Sequence, residues 1–168
     1  RVKGQFDVLI VLKKLIDENL PAEVTFYGGG RSFCDLQKAA HDAGIASYVT
    51  FAGQVEKPYR NLSEFNFFVY PSYSEGFGNS FAEAVSSGIH CFCYDNTCFP
   101  EYRALGFKYR MVATGDVDAL TDEILDVWFK KEPQPIENRD IARRCFSDQA
   151  EMARLSEALA GRAQSRES

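Results

Sequence analysis

The chain has 168 residues, 45% of them hydrophobic and 26% charged, with 19 basic against 24 acidic side chains and a net charge of −5. That length fits one domain able to bury roughly 70% of its unfolded surface, and the composition excludes disordered, collagen-like and fibrous classes. The longest purely aliphatic run, Val8 to Leu12, is far short of the ~20 residues of a membrane helix, and an acidic balance without a basic cluster argues against nucleic acid, whose binding rests on phosphate neutralisation.

The chain starts at Arg1 with no methionine or targeting segment, and a helical pattern begins at Gly4, so it reads as a piece cut from something longer. From Gly4 to Asn19, Asp7, Lys14 and Glu18 recur at helical spacing among apolar residues, and Pro21 stops the helix. Glu23 to Tyr27 predicts a buried strand ending in Gly28-Gly29-Gly30. A helix over Ser32–Ala43 follows, with Ser32 as N-cap and Gly44 closing it. Tyr48–Ala52 is a second strand, Pro58–Leu62 a brief helix and Phe65–Tyr70 a third strand, apolar nearly throughout. Pro71–Gly78 is a loop, Ser80–Ser87 a helix stopped by Gly88, Ile89–Tyr94 a fourth strand and Tyr109–Val112 a weaker fifth. Helices are expected at Val117–Lys130, Ile136–Cys145 and Ser147–Leu159, with a frayed polar tail after Gly161.

Short hydrophobic strands alternating with helices predict an α/β fold, a doubly wound, Rossmann-like parallel sheet with helices on both faces, over residues 1–160, followed by the tail at 161–168. Such sheets bind ligands at the carboxyl ends of their strands. Gly28–Gly30, Gly53–Val55, Tyr73–Ser80 and Asp95–Glu101 all lie at that edge.

The most informative stretch is Ser74-Glu75-Gly76-Phe77-Gly78-Asn79-Ser80-Phe81-Ala82-Glu83-Ala84, which follows a strand and opens a helix. Gly76 and Gly78 let the backbone approach a ligand closely and adopt positive φ, and the free N–H groups of the next turn stabilise an anion, commonly a phosphate. Glu75 and Glu83 flank this turn as hydroxyl acceptors, suiting a ligand that carries a sugar and a ribose. Ser80-x-x-Glu83 is equally a capping box, in which Glu83 merely satisfies the Ser80 N–H. Local physics leaves both readings of Glu83 open.

Lys3-Gly4 opening a helix, Gly28-x-Gly30 after a strand, Val49-x-Phe51-x-Gly53, Tyr70-Pro71-Ser72, Glu75-Gly76-Phe77-Gly78 and Glu83-Ala84 occur in the order and spacing of one family. The chain resembles the family 4 retaining glycosyltransferases, and specifically the C-terminal, nucleotide-sugar-binding domain of that two-domain, GT-B architecture, from Lys3 to about Leu159. The resemblance implies that Lys3 contacts the donor diphosphate and helps it leave, while Glu75 lies against the donor sugar. Backbone groups of Gly76, Phe77, Gly78, Asn79 and Ser80 would hold sugar hydroxyls and phosphate. Glu83 would bind the ribose, and Gly28, Gly30, Gln54 and Val55 would border the base. It further implies no cofactor beyond the donor itself, a UDP-sugar favoured, and no metal. The acceptor is a saccharide or glycolipid bound by a companion domain, in a hexosyltransferase of polysaccharide biosynthesis placed in the cytoplasm or peripherally on the inner membrane face. The fragment alone should turn nothing over.

Two departures from the family pattern stand out. Its arginine a few residues before the lysine has no counterpart, since Arg1 lies only two before Lys3, which places the partner and the first strand upstream. Thr97 and Cys98 stand where the family is commonly glycine-rich, before Pro100-Glu101. A non-catalytic nucleotide- or sugar-binding module and a sugar-nucleotide epimerase of the same architecture are the competing readings. The Asp116-Val117-Asp118 element reads as helix capping rather than a metal site, and Asp116, Asp118, Asp122, Glu123 and Asp126 as a solvated helix face. The dinucleotide fingerprint fails because its third glycine would fall at Phe33. The five cysteines form no Cys-x-x-Cys pair and read as free, mostly buried thiols; Cys91 and Cys93 share one strand face as a core pair. His90 and His41 read as satisfied-core or surface residues, and the aromatics from Phe65 to Tyr73 as core and loop anchors.

Overall fold

The computed structural model describes residues 3–30, 33–96 and 98–146. The elements are α1 (Gln5–Asp17), β1 (Val24–Tyr27), α2 (Phe33–Asp42), β2 (Val49–Gly53), β3 (Phe67–Tyr70), α3 (Asn79–Ser87), β4 (His90–Asp95), α4 (Phe99–Ala104), β5 (Arg110–Ala113), α5 (Val117–Lys130) and α6 (Asn138–Cys145). Short 3₁₀ turns occupy Ala46–Tyr48 and Pro58–Glu64. Every strand pairing is parallel, as the alternation of strands and helices implies, but the ladder comes in two segments, β1-β2 and β3-β4-β5.

β4 is central and buried through Tyr94, because period-2 alternation sends its side chains into two different cores. Cys91 and Cys93 join Phe81, Val85, Phe99, Tyr102 and Phe107 under α3, α4 and α6. Phe92 and Tyr94 face the other way, against Val11 of α1 and Leu120, Ile124 and Val127 of α5. Phe92 is fully buried in this second core; its truncation to alanine costs about 3–5 kcal/mol.

α1 straddles both ladders. Leu9 and Leu12 pack with Leu36, Ala40 and Ile45 beside Val24, Phe26 and Phe51, while Val11 serves the β4 core. A helix anchored on two faces has little freedom to shift, which fixes the residues at its amino terminus relative to the strand ends.

The sequence predicts no helix between β4 and β5, and the structure adds α4 there, with Pro100 in its first turn, where the missing N–H costs nothing. Two expectations need correction. Ser80 is not a helix N-cap, since α3 begins at Asn79 behind Gly78, and no side chain caps it. The acidic residues of α5 are not simply solvated, because Asp118 pairs with Lys14, while Glu123 and Asp126 lie 3.1 and 3.9 Å from the Arg110 guanidinium. Asp116 does cap α5, accepting the Ala119 N–H at 2.9 Å. The Ser32 N-cap, the loop residue Thr97, the helix expected over Ser147–Leu159 and the tail after Gly161 lie outside the described residues. Cys91, Cys93 and Cys98 are buried, whereas Cys34 is exposed.

Candidate functional site

The carboxyl edge of β3 delivers the chain into the loop Pro71–Gly78, and the amino terminus of α1 lies on that loop. Gly4 makes this approach possible. It adopts φ 65°, and a Cβ there would stand 1.9 Å from the Pro71 carbonyl oxygen, so only glycine fits. The close contact brings Lys3 to the loop, where its ammonium is hydrogen-bonded to Glu75 Oε1.

The same oxygen accepts from Tyr70 Oη at 2.6 Å and has Ser72 Oγ at 3.1 Å. Ser72 is fully buried and also lies 3.1 Å from the Ser74 carbonyl, so its one hydroxyl hydrogen is shared between two acceptors. Asn96, just past β4, donates from Nδ2 to the Ser72 carbonyl at 2.5 Å. Burial pushes the Glu75 carboxyl up, but the hydrogen bonds from Lys3, Tyr70 and Ser72 outweigh it, and the net value is below the usual carboxylate range. Burial, then Glu75 itself, pushes the Tyr70 phenol the opposite way, upward. Glu75 is therefore a held anion with a neutral phenol beside it.

Gly78, at φ 74°, turns the loop into α3. Gly76 differs from expectation: it does not need positive φ, but nothing lies within 4 Å of where its Cβ would be, leaving open space beside Glu75. Tyr102 of α4, almost wholly buried, donates to the Phe77 carbonyl at 2.9 Å and so sets the orientation of the Phe77–Gly78 peptide. Among the described residues no side chain caps the amino end of α3, so its first backbone N–H groups are left for another acceptor. Asn79, Ser80 and Glu83 are exposed on it, and burial raises the Glu83 carboxyl.

Gly28, Gly30, Gln54 and Val55 gather at the carboxyl end of the other ladder. The Gly28 N–H donates to the Gly53 carbonyl at 2.6 Å, and a Cβ on Gly29 would be 3.9 Å from Gln54 Cγ. The site residues thus fall into two groups, one per ladder, with Lys3 and Glu75 the pair in direct contact. Tyr73 is the loop anchor that the sequence reading expects, whereas Asp7, Tyr94, Asn96 and Tyr102 were missed as supports of the loop. For Tyr94, Asn96 and Tyr102 the one signal was a polar tip on an aromatic or amide side chain beside β4 or in α4.

Cys98 lies under the loop, its thiol pushed up to about 12, chiefly by burial, so it is no nucleophile at neutral pH. The buried His90 has its Nε2 3.2 Å from the Glu132 carbonyl, whereas His41 is exposed. Among the described residues no group of three or more His, Cys, Asp and Glu side chains could hold a metal ion, and no helix is long and apolar enough to cross a membrane.

The fold is shared with solved glycosyltransferases. The lipopolysaccharide outer core galactosyltransferase WaaB superposes with a TM-score of 0.70 at 20% identity, over 86% of this chain and 41% of that one. The pneumococcal O-GlcNAc transferase GtfA, solved with UDP and GlcNAc, gives 0.73 at 16% identity, over 94% of this chain and 33% of that one. In sequence, 82 residues, 49% of the chain, are 34% identical to O-antigen chain mannosyltransferase B of Escherichia coli, covering 21% of it. Residues 1–142 match the family of group 1 glycosyl transferases, and the chain belongs to that family. It spans less than half the length of these relatives.

Proposed function

We propose that this chain is the C-terminal, donor-binding domain of a retaining glycosyltransferase that moves a hexose from a nucleoside diphosphate, UDP favoured, to a saccharide or glycolipid acceptor. The observation that carries this reading is the Lys3 ammonium held against Glu75 at the carboxyl edge of β3, beside the uncapped amino end of α3.

Breaking the anomeric bond leaves charge on the departing phosphate, and fixed donors aimed at that charge lower the barrier. Lys3 is half exposed and can meet the diphosphate, with the α3 N–H groups as further donors, so the domain's own residues supply this stabilisation without a metal. Glu75 lies against the donor sugar and positions it, and the open space at Gly76 admits the ring. Backbone groups from Gly76 to Ser80 hold sugar hydroxyls and phosphate, Glu83 accepts from the ribose, and Gly28, Gly30, Gln54 and Val55 border the base. Attack then comes on the face that the leaving group vacates, which retains configuration. The acceptor is bound by a companion domain, and the protein works in the cytoplasm, at the inner membrane face, in surface-polysaccharide assembly. The name of the Escherichia coli relative supports that setting, and the UDP in the GtfA complex supports the donor class.

The test is a panel of nucleotide sugars added to the intact protein, read as transfer and as donor consumption. Transfer abolished by Glu75→Ala supports the reading. Donor bound without turnover by the unaltered protein would make it a binding module, and donor consumed without acceptor an epimerase.

A further inference from the structure

The amino terminus of α1 touches the loop at three places: Lys3 on Glu75, Gly4 on Pro71, and Asp7 on Tyr73. The third has no part in the reading above, yet it reaches past the loop to the core strand β4. Asp7 Oδ2 accepts from Tyr73 Oη at 2.8 Å and from Tyr94 Oη at 2.7 Å, and the two rings pack edge to face with centroids 5.4 Å apart. Tyr94 is rigid, fully buried within β4. Tyr73 is carried by the loop, two residues before Glu75, and Asp7 is one helical turn after Lys3. One carboxylate oxygen therefore joins a helix, a core strand and the loop.

We propose that Asp7 is a positioning residue: by holding both phenols it locks the Pro71–Gly78 loop to the first turn of α1 and so keeps the Lys3 ammonium over Glu75. The inference rests on the proposed roles of Lys3 and Glu75. A lysine with four rotatable bonds and half its side chain in solvent does not place itself, because ordering it costs rotamer freedom. What can be fixed in advance is the backbone that carries it and the carboxylate that receives it. Displacement of a charged group by about 1 Å costs on the order of 100-fold in rate. An acidic residue serving only the helix dipole would need no phenol partners.

The test is a coupling measurement on the intact protein. Asp7→Ala should lower kcat about tenfold while the donor KM stays within about twofold, since leaving-group stabilisation is a transition-state interaction. In a Lys3→Ala background the same substitution should lower kcat less than about twofold, because the group it positions is gone. Asp7→Asn, which keeps one acceptor oxygen, should fall between. If Asp7→Ala does not fold, Tyr73→Phe removes only the loop-side hydrogen bond from a half-exposed residue and should show the same Lys3 dependence with a smaller loss. Equal losses in both backgrounds, or a kcat per folded molecule unchanged by Asp7→Ala, overturn the proposal and leave the reading of the site standing. Full activity of Lys3→Ala alone overturns both.

Discussion

Lys3 and Glu75 are 72 residues apart in sequence, yet the ammonium of one is hydrogen-bonded to the carboxylate of the other. The pair is asymmetric: the Glu75 side chain is 8% exposed and that of Lys3 48%. Lysine can turn toward a ligand while glutamate, also held by Tyr70 and close to Ser72, stays in place. A pair with one half in solvent adds little to stability.

The hold on Glu75 has a pH signature. The folded carboxyl sits below its ordinary value, so the unfolded chain binds the proton more tightly. The ionised form therefore stabilises the fold above the unfolded value, and that contribution is lost as pH falls through the lower folded one. Thermal midpoints of the unaltered protein and Glu75→Gln should differ most near pH 7 and converge on acidification. A difference that is constant with pH would show that the carboxylate charge is not what the loop holds.

Two glycine substitutions separate fold from site. Gly4→Ala combines a left-handed backbone with a Cβ 1.9 Å from the Pro71 carbonyl oxygen, and should cost about 3 kcal/mol in denaturant unfolding. Gly76→Ala meets no atom within 4 Å and should leave stability within about 0.5 kcal/mol. Its methyl group instead enters the space beside Glu75, and donor affinity measured by calorimetry should drop about tenfold.

Tyr102→Phe tests the orientation of the Phe77–Gly78 peptide. Losing the 2.9 Å hydrogen bond to the Phe77 carbonyl should destabilise the fold by about 1–2 kcal/mol. Donor affinity should fall as well, because the freed peptide no longer aims its N–H at the ligand. Loss of stability with donor affinity intact would assign Tyr102 to packing alone.

Glu83 has the opposite sign to Glu75. Burial raises its folded carboxyl, so its contribution to stability is complete below the unfolded value and is lost as pH rises through the folded one. Glu83→Gln should therefore raise the thermal midpoint at pH 8 relative to the unaltered protein, and not at pH 4. The same substitution should weaken nucleoside diphosphate binding, because an amide has a single oxygen with which to accept from two ribose hydroxyls.

Much of the fold was legible because its signals are local. The apolar runs of β3 and β4, the helical period of α1 and the glycines after β1 and α3 are visible in windows of a few residues. The failures came where neighbours outside the window decide. No helix is predicted around Pro100, yet that residue sits in the first turn of α4. Ser80-x-x-Glu83 has the pattern of a capping box, but Gly78 is already the N-cap two residues earlier. The break between β1-β2 and β3-β4-β5 leaves no mark in the composition of any one strand.

The acidic chain of 168 residues determined by itself its α/β class, its ordered motifs and the two acids that flank a glycine turn, since these depend on periodicity and spacing. Only the tertiary structure decided that Lys3 meets Glu75, that Tyr70 and Ser72 share the oxygen Lys3 holds, and that Asp7 joins Tyr73 to Tyr94. Those contacts span up to 87 residues and exist because α1 packs on both ladders at once, a constraint that acts through volume and distance rather than along the chain.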